Sequence, residues 1–168
     1  HDIQSKVGES SHLKVRLRTK SFSLCEYHCS GLPKQTSTET SKFPEIVMPQ
    51  IGGYLRVDEA GSTYLDETVV GFFEAGRPYH IEHIQPRPDV TTIFAITNVD
   101  DLSSLFGENA NKQKLFRKSA IRATPELLML HRRLLAGLDD ERLDKLVVEE
   151  LATLFVIRAV ERSLTAPD

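Results

Sequence analysis

Between Thr68 and His83 the chain reads T-V-V-G-F-F-E-A-G-R-P-Y-H-I-E-H. Two short apolar or aromatic runs flank Gly76 and Pro78, the pattern of two strands joined by a tight turn. Gly76 can take the positive φ that such a turn often needs, whereas Pro78 fixes its φ near −65° and lacks a backbone donor. This hairpin comes late in a series of short strands, and only helix-like sequence follows that series. That order constrains the fold more than any single reactive side chain does.

The strands expected before and after it are Leu13 to Ser30 (one or two, with a break near Thr19 to Ser21), Glu45 to Met48, Gly53 to Val57, Thr63 to Leu65, Thr68 to Glu74, Tyr79 to Ile84 and Thr91 to Thr97. Gly52-Gly53, Glu59-Ala60-Gly61, Gly76-Arg77-Pro78 and Pro86-Arg87-Pro88 punctuate them, and Gly31 to Lys42 reads as a polar loop. Turn signals at about 8–12-residue intervals argue for an antiparallel sandwich or barrel. No helix-length segment interrupts the series, which sets parallel βαβ units aside.

After Asn98 the period changes. Val99 to Phe106 reads as a short helix. Thr124-Pro125-Glu126 supplies a cap hydroxyl followed by proline at the first helical position, and Gly137 is the expected stop after Ala136. Asp139 or Asp140 then opens a second helix to about Ser163. Leu143, Leu146, Val147, Leu151, Leu154, Phe155 and Arg158 lie on it at spacings of three and four. The expected product is an antiparallel helix pair whose apolar stripe either packs on the sheet or pairs with a second copy of the chain.

At 168 residues with 40% hydrophobic content, the chain can bury a core as one domain. Its 21 basic and 24 acidic residues give a formal charge of −3, and no basic block stands out. Nucleic-acid binding by this segment alone is therefore disfavoured, because phosphate neutralisation needs clustered cations. No apolar run nears the ~20 residues of a membrane span, and no signal peptide is visible in His1 to Lys20. A cytoplasmic protein without membrane contact is expected. With His1 rather than Met first, a true start elsewhere is an expectation, as are residues 1–12 outside the folded unit, a β-domain over 13–98 and a helical dimerisation segment over 99–164.

Cys25 and Cys29 bracket Glu26, Tyr27 and His28. Four residues apart on one strand, the cysteines share a face about 13 Å from each other, too far for a disulfide. A structural zinc needs four ligands and this run offers three, so two free thiols are expected and no metal. In Y-H-I-E-H, His80 and Glu82 should point to one face and His83 to the other, so the three cannot converge. There is no G-x-S-x-G elbow and no glycine-rich loop opening a helix. No catalytic residue and no cofactor are expected, and the chain is read as a non-enzyme.

From roughly Ser21 to Arg162 the chain resembles the N-terminal sensor domain of AraC-type bacterial transcription regulators. The resemblance is carried by F-F-E-A-G-R-P-Y with His83 following, by Asp89 before T-T-I-F-A-I, and by R-R-L-L-A-G-L and D-K-L-V-V-E-E-L. Ile84 stands where the family phrase has proline. The resemblance implies a cupin-like antiparallel β-barrel that binds a small-molecule effector, and homodimerisation through the terminal helices. DNA would be met only through a C-terminal half missing here. Alternation places His28, Glu45, Tyr54, Phe73 and either Tyr79 or His80 toward the barrel as ligand contacts. Leu143, Val147, Leu151, Leu154 and Arg158 are the expected dimer contacts. The alternative is a stand-alone metal-dependent cupin enzyme using His80 or His83.

Overall fold

The computed structural model describes residues 11–31, 37–106 and 115–167. Its strands are β1 (Ser11–Arg18), β2 (Ser23–Cys29), β3 (Glu45–Ile51), β4 (Tyr54–Asp58), β5 (Gly61–Leu65), β6 (Val69–Phe73), β7 (His80–Glu82), β8 (Asp89–Ala95) and β9 (Ala120–Arg122). Helix α1 (Val99–Ser103) runs into a single 3-10 turn, and α2 (Pro125–Asp139) and α3 (Lys145–Thr165) follow. The protein is mainly β with C-terminal helices.

The strands form two antiparallel sheets, one ordered β1-β2-β8-β3-β6-β9 and one ordered β5-β4-β7. The expected closed barrel is therefore a pair of facing sheets. No ladder joins their edges among the described residues, and the isolated Glu39–Tyr79 bridge lies outside both sheets. Side chains hold the sheets together instead. Val47, Tyr54, Leu65, Phe73 and Tyr79 form the core between them.

The large sheet is covered on its other face as well. Leu24, Ile46, Met48, Phe72 and Phe94 pack there against Leu127, Leu134, Phe155 and Val156 of the helices. Phe94 stacks on Phe155 at 5.0 Å between ring centroids. Alternation along β3 thus sends Ile46 and Met48 to the helices and Val47 to the small sheet. Because both faces are dry, these strands lack the polar-out alternation of a half-solvated sheet.

The turn at Gly76 does not make a hairpin. β6 pairs with β3 and β9, whereas β7 pairs with β4 in the other sheet. The chain uses the turn to change sheets, with Gly76 at φ 73° and its N–H bonded to Ser41 O at 2.8 Å. The expectation that only helices follow also fails, since β9 returns to pair with β6. Three residues are too few to leave a periodic signature. Ile121 and two flanking backbone bonds, Phe72 N–H to Ser119 O and Ala123 N–H to Thr68 O, hold it in place.

α2 begins where Thr124 and Pro125 predict, the Thr124 hydroxyl accepting from Leu127 N–H at 3.2 Å. It continues through Gly137 to Asp139, so this glycine is not a stop. A Cβ at Gly137 would lie 3.0 Å from Leu143 Cδ2 and 3.4 Å from Val148 Cγ2. The glycine admits close approach of the α2–α3 connection. Asp140 caps Arg142 N–H in that connection, and Asp144 caps Leu146 N–H. α3 consequently starts a turn later than expected and buries Val148, Ala152, Phe155, Val156 and Ala159.

Two polar devices tie these layers. Arg56 is 2% exposed and donates to Phe72 O at 2.8 Å and Ser119 O at 3.0 Å, reaching from the small sheet to the large one. Its guanidinium carbon lies 4.6 Å from the Phe73 ring centroid, and Asp58 Oδ2 is 3.7 Å from its Nε. On the helix side, His131 Nε2 meets Thr92 Oγ1 at 2.7 Å, and Gln50 bridges Thr92 to Glu26. Glu26 pairs with Arg16, which reaches Asp139. Burial pulls the His131 pKa down to about 4.

The unfolded chain, with an ordinary histidine pKa near 6.5, takes up this proton before the folded one does. Stability is therefore expected to fall as pH drops from about 6.5 to 4, by about 3 kcal/mol when complete. His131→Leu should flatten that stretch of a urea-midpoint against pH profile. Arg56→Met removes the donors that reach Phe72 O and Ser119 O and leaves a cavity beside Phe73, and is expected to lower unfolding free energy by about 2–4 kcal/mol in the same assay.

Candidate functional site

A cavity of about 90 Å³ lies between the two sheets. Val47, Phe73, Tyr79, Ile81 and Ile93 make its apolar wall, and Cys29, Tyr54, His83, Asp89 and Thr91 give it a polar end. Tyr27, Glu39 and Glu45 complete the lining. Three carboxyl groups thus line it against one imidazole.

Pairing register brings the polar end together. Cys29, the last residue of β2, is the ladder partner of Asp89, the first residue of β8. Directly opposed residues on one face hold their Cβ atoms about 5 Å apart. His83 follows β7, and a six-residue step through Pro86 and Pro88 returns the chain to Asp89. Two glycines let that return pack tightly. At Gly31 (φ 69°) a Cβ would lie 1.7 Å from Arg87 O, and at Gly52 (φ 78°) 3.1 Å from the Asp89 Cβ. Neither position accepts another residue without moving the loop.

Asp89 Oδ2 lies 2.7 Å from His83 Nε2, and Cys29 Sγ lies 3.7 Å from the same nitrogen. The His83 and Asp89 side chains are 6% and 2% exposed. Gly31 N–H donates to Cys29 Sγ at 3.5 Å, and the Thr91 hydroxyl lies 3.4 Å from Tyr54 Oη. Hydrogen bonding to Asp89, helped by Cys29 and opposed by burial, raises the His83 pKa to about 10. His83 is an imidazolium at neutral pH. A thiol–imidazole–carboxylate relay places the acid on one ring nitrogen and the thiol on the other. Here both address Nε2, so the geometry does not build a nucleophile relay.

Of the residues assigned to the barrel interior by alternation, Glu45, Tyr54, Phe73 and Tyr79 line the cavity. His28 and His80 do not. His28 sits on the opposite face of β2, where it pairs with Glu26 at 2.6 Å and stacks on His12 at 4.5 Å. His80 faces outward with Glu82, 2.9 Å away, while His83 turns inward, the split that strand geometry predicts. Neither cysteine is in a disulfide, Cys25 being buried and Cys29 partly so. The residues that alternation missed are Cys29, His83 and Asp89. They come from three segments, united by the β2–β8 register and by the return from His83 to Asp89, which no local pattern reveals.

No helix among the described residues is long and apolar enough to cross a membrane. No family model matches the chain, and no curated protein matches it. Among solved structures, it is similar to AerE from Microcystis aeruginosa at 8% identity and a TM-score of 0.55, over 71% of this chain and half of that one. It is also similar to a cupin domain from Bordetella pertussis Tohama I, at 15% identity and a TM-score of 0.43, over 52% of this chain and 94% of that one. At these identities the likeness concerns the fold alone.

Replacing Asp89 by Asn removes the charge that holds the His83 proton. In histidine NMR titrations, His83 is expected to stay protonated through pH 8 in the parent protein. In Asp89→Asn its pKa should fall by at least about one unit.

Proposed function

We propose that this cupin-like domain binds a compact small molecule between its sheets and serves as the sensing and dimerisation half of an AraC-type transcription regulator. The observation that carries the reading is the cavity between the sheets, apolar along one wall and polar at one end, the usual division of labour in a ligand site. Its size limits the occupant. An apolar cavity of about 150 Å³ takes a molecule the size of benzene, so a space of about 90 Å³ suits a smaller one. DNA would be met through a separate DNA-reading half, and the protein would work in the cytoplasm.

Dimerisation finds support in α3. Val147 and Leu154 are 43% and 37% exposed, Leu146 is 66% exposed, and Leu151 lies partly buried between them. This ridge is offset from the buried face, so packing on the sheet does not consume it. Leu143 belongs to the connection before α3 and leans on Gly137 while remaining 38% exposed. Arg158 is held within the chain, at 2.9 Å from Glu126 and 3.0 Å from Glu161, and contributes less to a partner. The enzyme reading loses His80, which faces outward.

Sedimentation should show a reversible dimer whose dissociation constant rises at least about tenfold in Leu151→Arg or Leu154→Arg. A small-molecule panel should contain compounds that raise the melting temperature of the parent chain and not of Ile93→Trp, which fills the cavity. A monomer at high micromolar concentration, or hits indifferent to Ile93→Trp, would count against the reading.

A further inference from the structure

We propose that Cys29, His83 and Asp89 form a binding site for one divalent cation of the zinc class, with its remaining coordination position open to the cavity. The inference rests on the reading of the cavity as a ligand site, and not on the regulator role.

Convergence is the first ground. One donor atom from each of the three residues lies within 4.8 Å of the other two. The Cys29 sulfur and the Asp89 carboxylate both approach the same imidazole nitrogen, which has a single proton to share. A hydrogen-bond pair needs one partner at that point, whereas a cation needs several donors around it. With metal–ligand distances of about 2.0 Å to N or O and 2.3 Å to S, tetrahedral geometry sets the donors about 3.3–3.6 Å apart. The observed separations are 2.7 Å and 3.7 Å. Asp89 need retreat by only about 0.6 Å once the cation replaces the shared proton.

Donor chemistry selects the ion. One sulfur, one nitrogen and one oxygen suit a borderline cation such as Zn²⁺, with Co²⁺ as its spectroscopic stand-in. Mg²⁺ and Ca²⁺ prefer all-oxygen shells of six or more ligands, which this end of the cavity does not provide. The surroundings favour positive charge, because Glu39 and Glu45 line the same cavity. Gly31 N–H, at 3.5 Å from Sγ, can stabilise a thiolate. The Gly31 and Gly52 contacts hold the loop between His83 and Asp89, so the donors are placed before any ion arrives. The fourth position would be taken by a water or by a polar atom of the cavity ligand, since all three donors line the same cavity.

The test titrates the purified full chain with Co²⁺ and then competes it with Zn²⁺. The parent protein should bind one equivalent and develop a near-ultraviolet thiolate-to-cobalt band with intense visible bands of tetrahedral character. Cys29→Ser should abolish the charge-transfer band, and Asp89→Asn should weaken binding at least about 100-fold, with circular dichroism confirming that both fold. Cys25→Ser and His28→Ala should change nothing, which separates this site from the neighbouring thiol and from the His12–His28 stack. Absence of a stoichiometric band, its persistence in Cys29→Ser, or its loss in His28→Ala would overturn the proposal. The sensor reading fails separately. A chain that responds to a cavity compound but not to cobalt loses only the cation site, and one that binds cobalt but no compound loses only the sensor.

Discussion

β3 and β8 lie at the centre of the large sheet and are covered on both faces. Ile46, Met48 and Phe94 press on the helices, and Val47, Thr91 and Ile93 face the small sheet. Every polar group on these strands must then find a partner inside the protein, since an unpaired buried hydroxyl or carboxylate costs several kcal/mol. The two buried polar clusters follow from that requirement. Thr92 meets His131 and Gln50 on the helix side, while Asp89 meets His83 on the cavity side. Both are consequences of one doubly covered sheet, differing in whether the space beyond is filled or left open.

The small sheet has less to hold it. It lacks a ladder to its larger neighbour among the described residues, and Arg56 supplies a polar link in its place. A guanidinium is suited to this position because its planar fork donates in two directions while its face lies on Phe73. The carbonyls it satisfies, those of Phe72 and Ser119, mark where β9 adds to the sheet edge. One side chain therefore fastens both the sheet pair and the strand that returns from beyond α1.

Much of this architecture was legible. Strand positions followed from alternation and glycine–proline punctuation, and the start of α2 followed from Thr124 and Pro125, because both signals are local. Features that depend on what lies opposite a residue were not. Gly76 reads the same whether its flanking strands pair with each other or enter different sheets. Gly137 resembles a helix stop until Leu143 and Val148 are seen against it. His28 and His80 were assigned inward by a phase that slipped, since a one-residue error on a strand reverses every side chain. The split of His80 from His83 was readable because it needs only the period of a strand. The union of His83 with Cys29 and Asp89 needs a register and a six-residue return, neither of which composition encodes.

β8 forms a shared wall with the cavity on one side and the seat of the helices on the other. Close-packed interiors compress little. An occupant that pushes Thr91 or Ile93 outward therefore meets, through the thickness of one strand, the Phe94–Phe155 stack and the contact between Thr92 and His131. The width of the cavity and the seating of α2 and α3 are two readings of a single displacement.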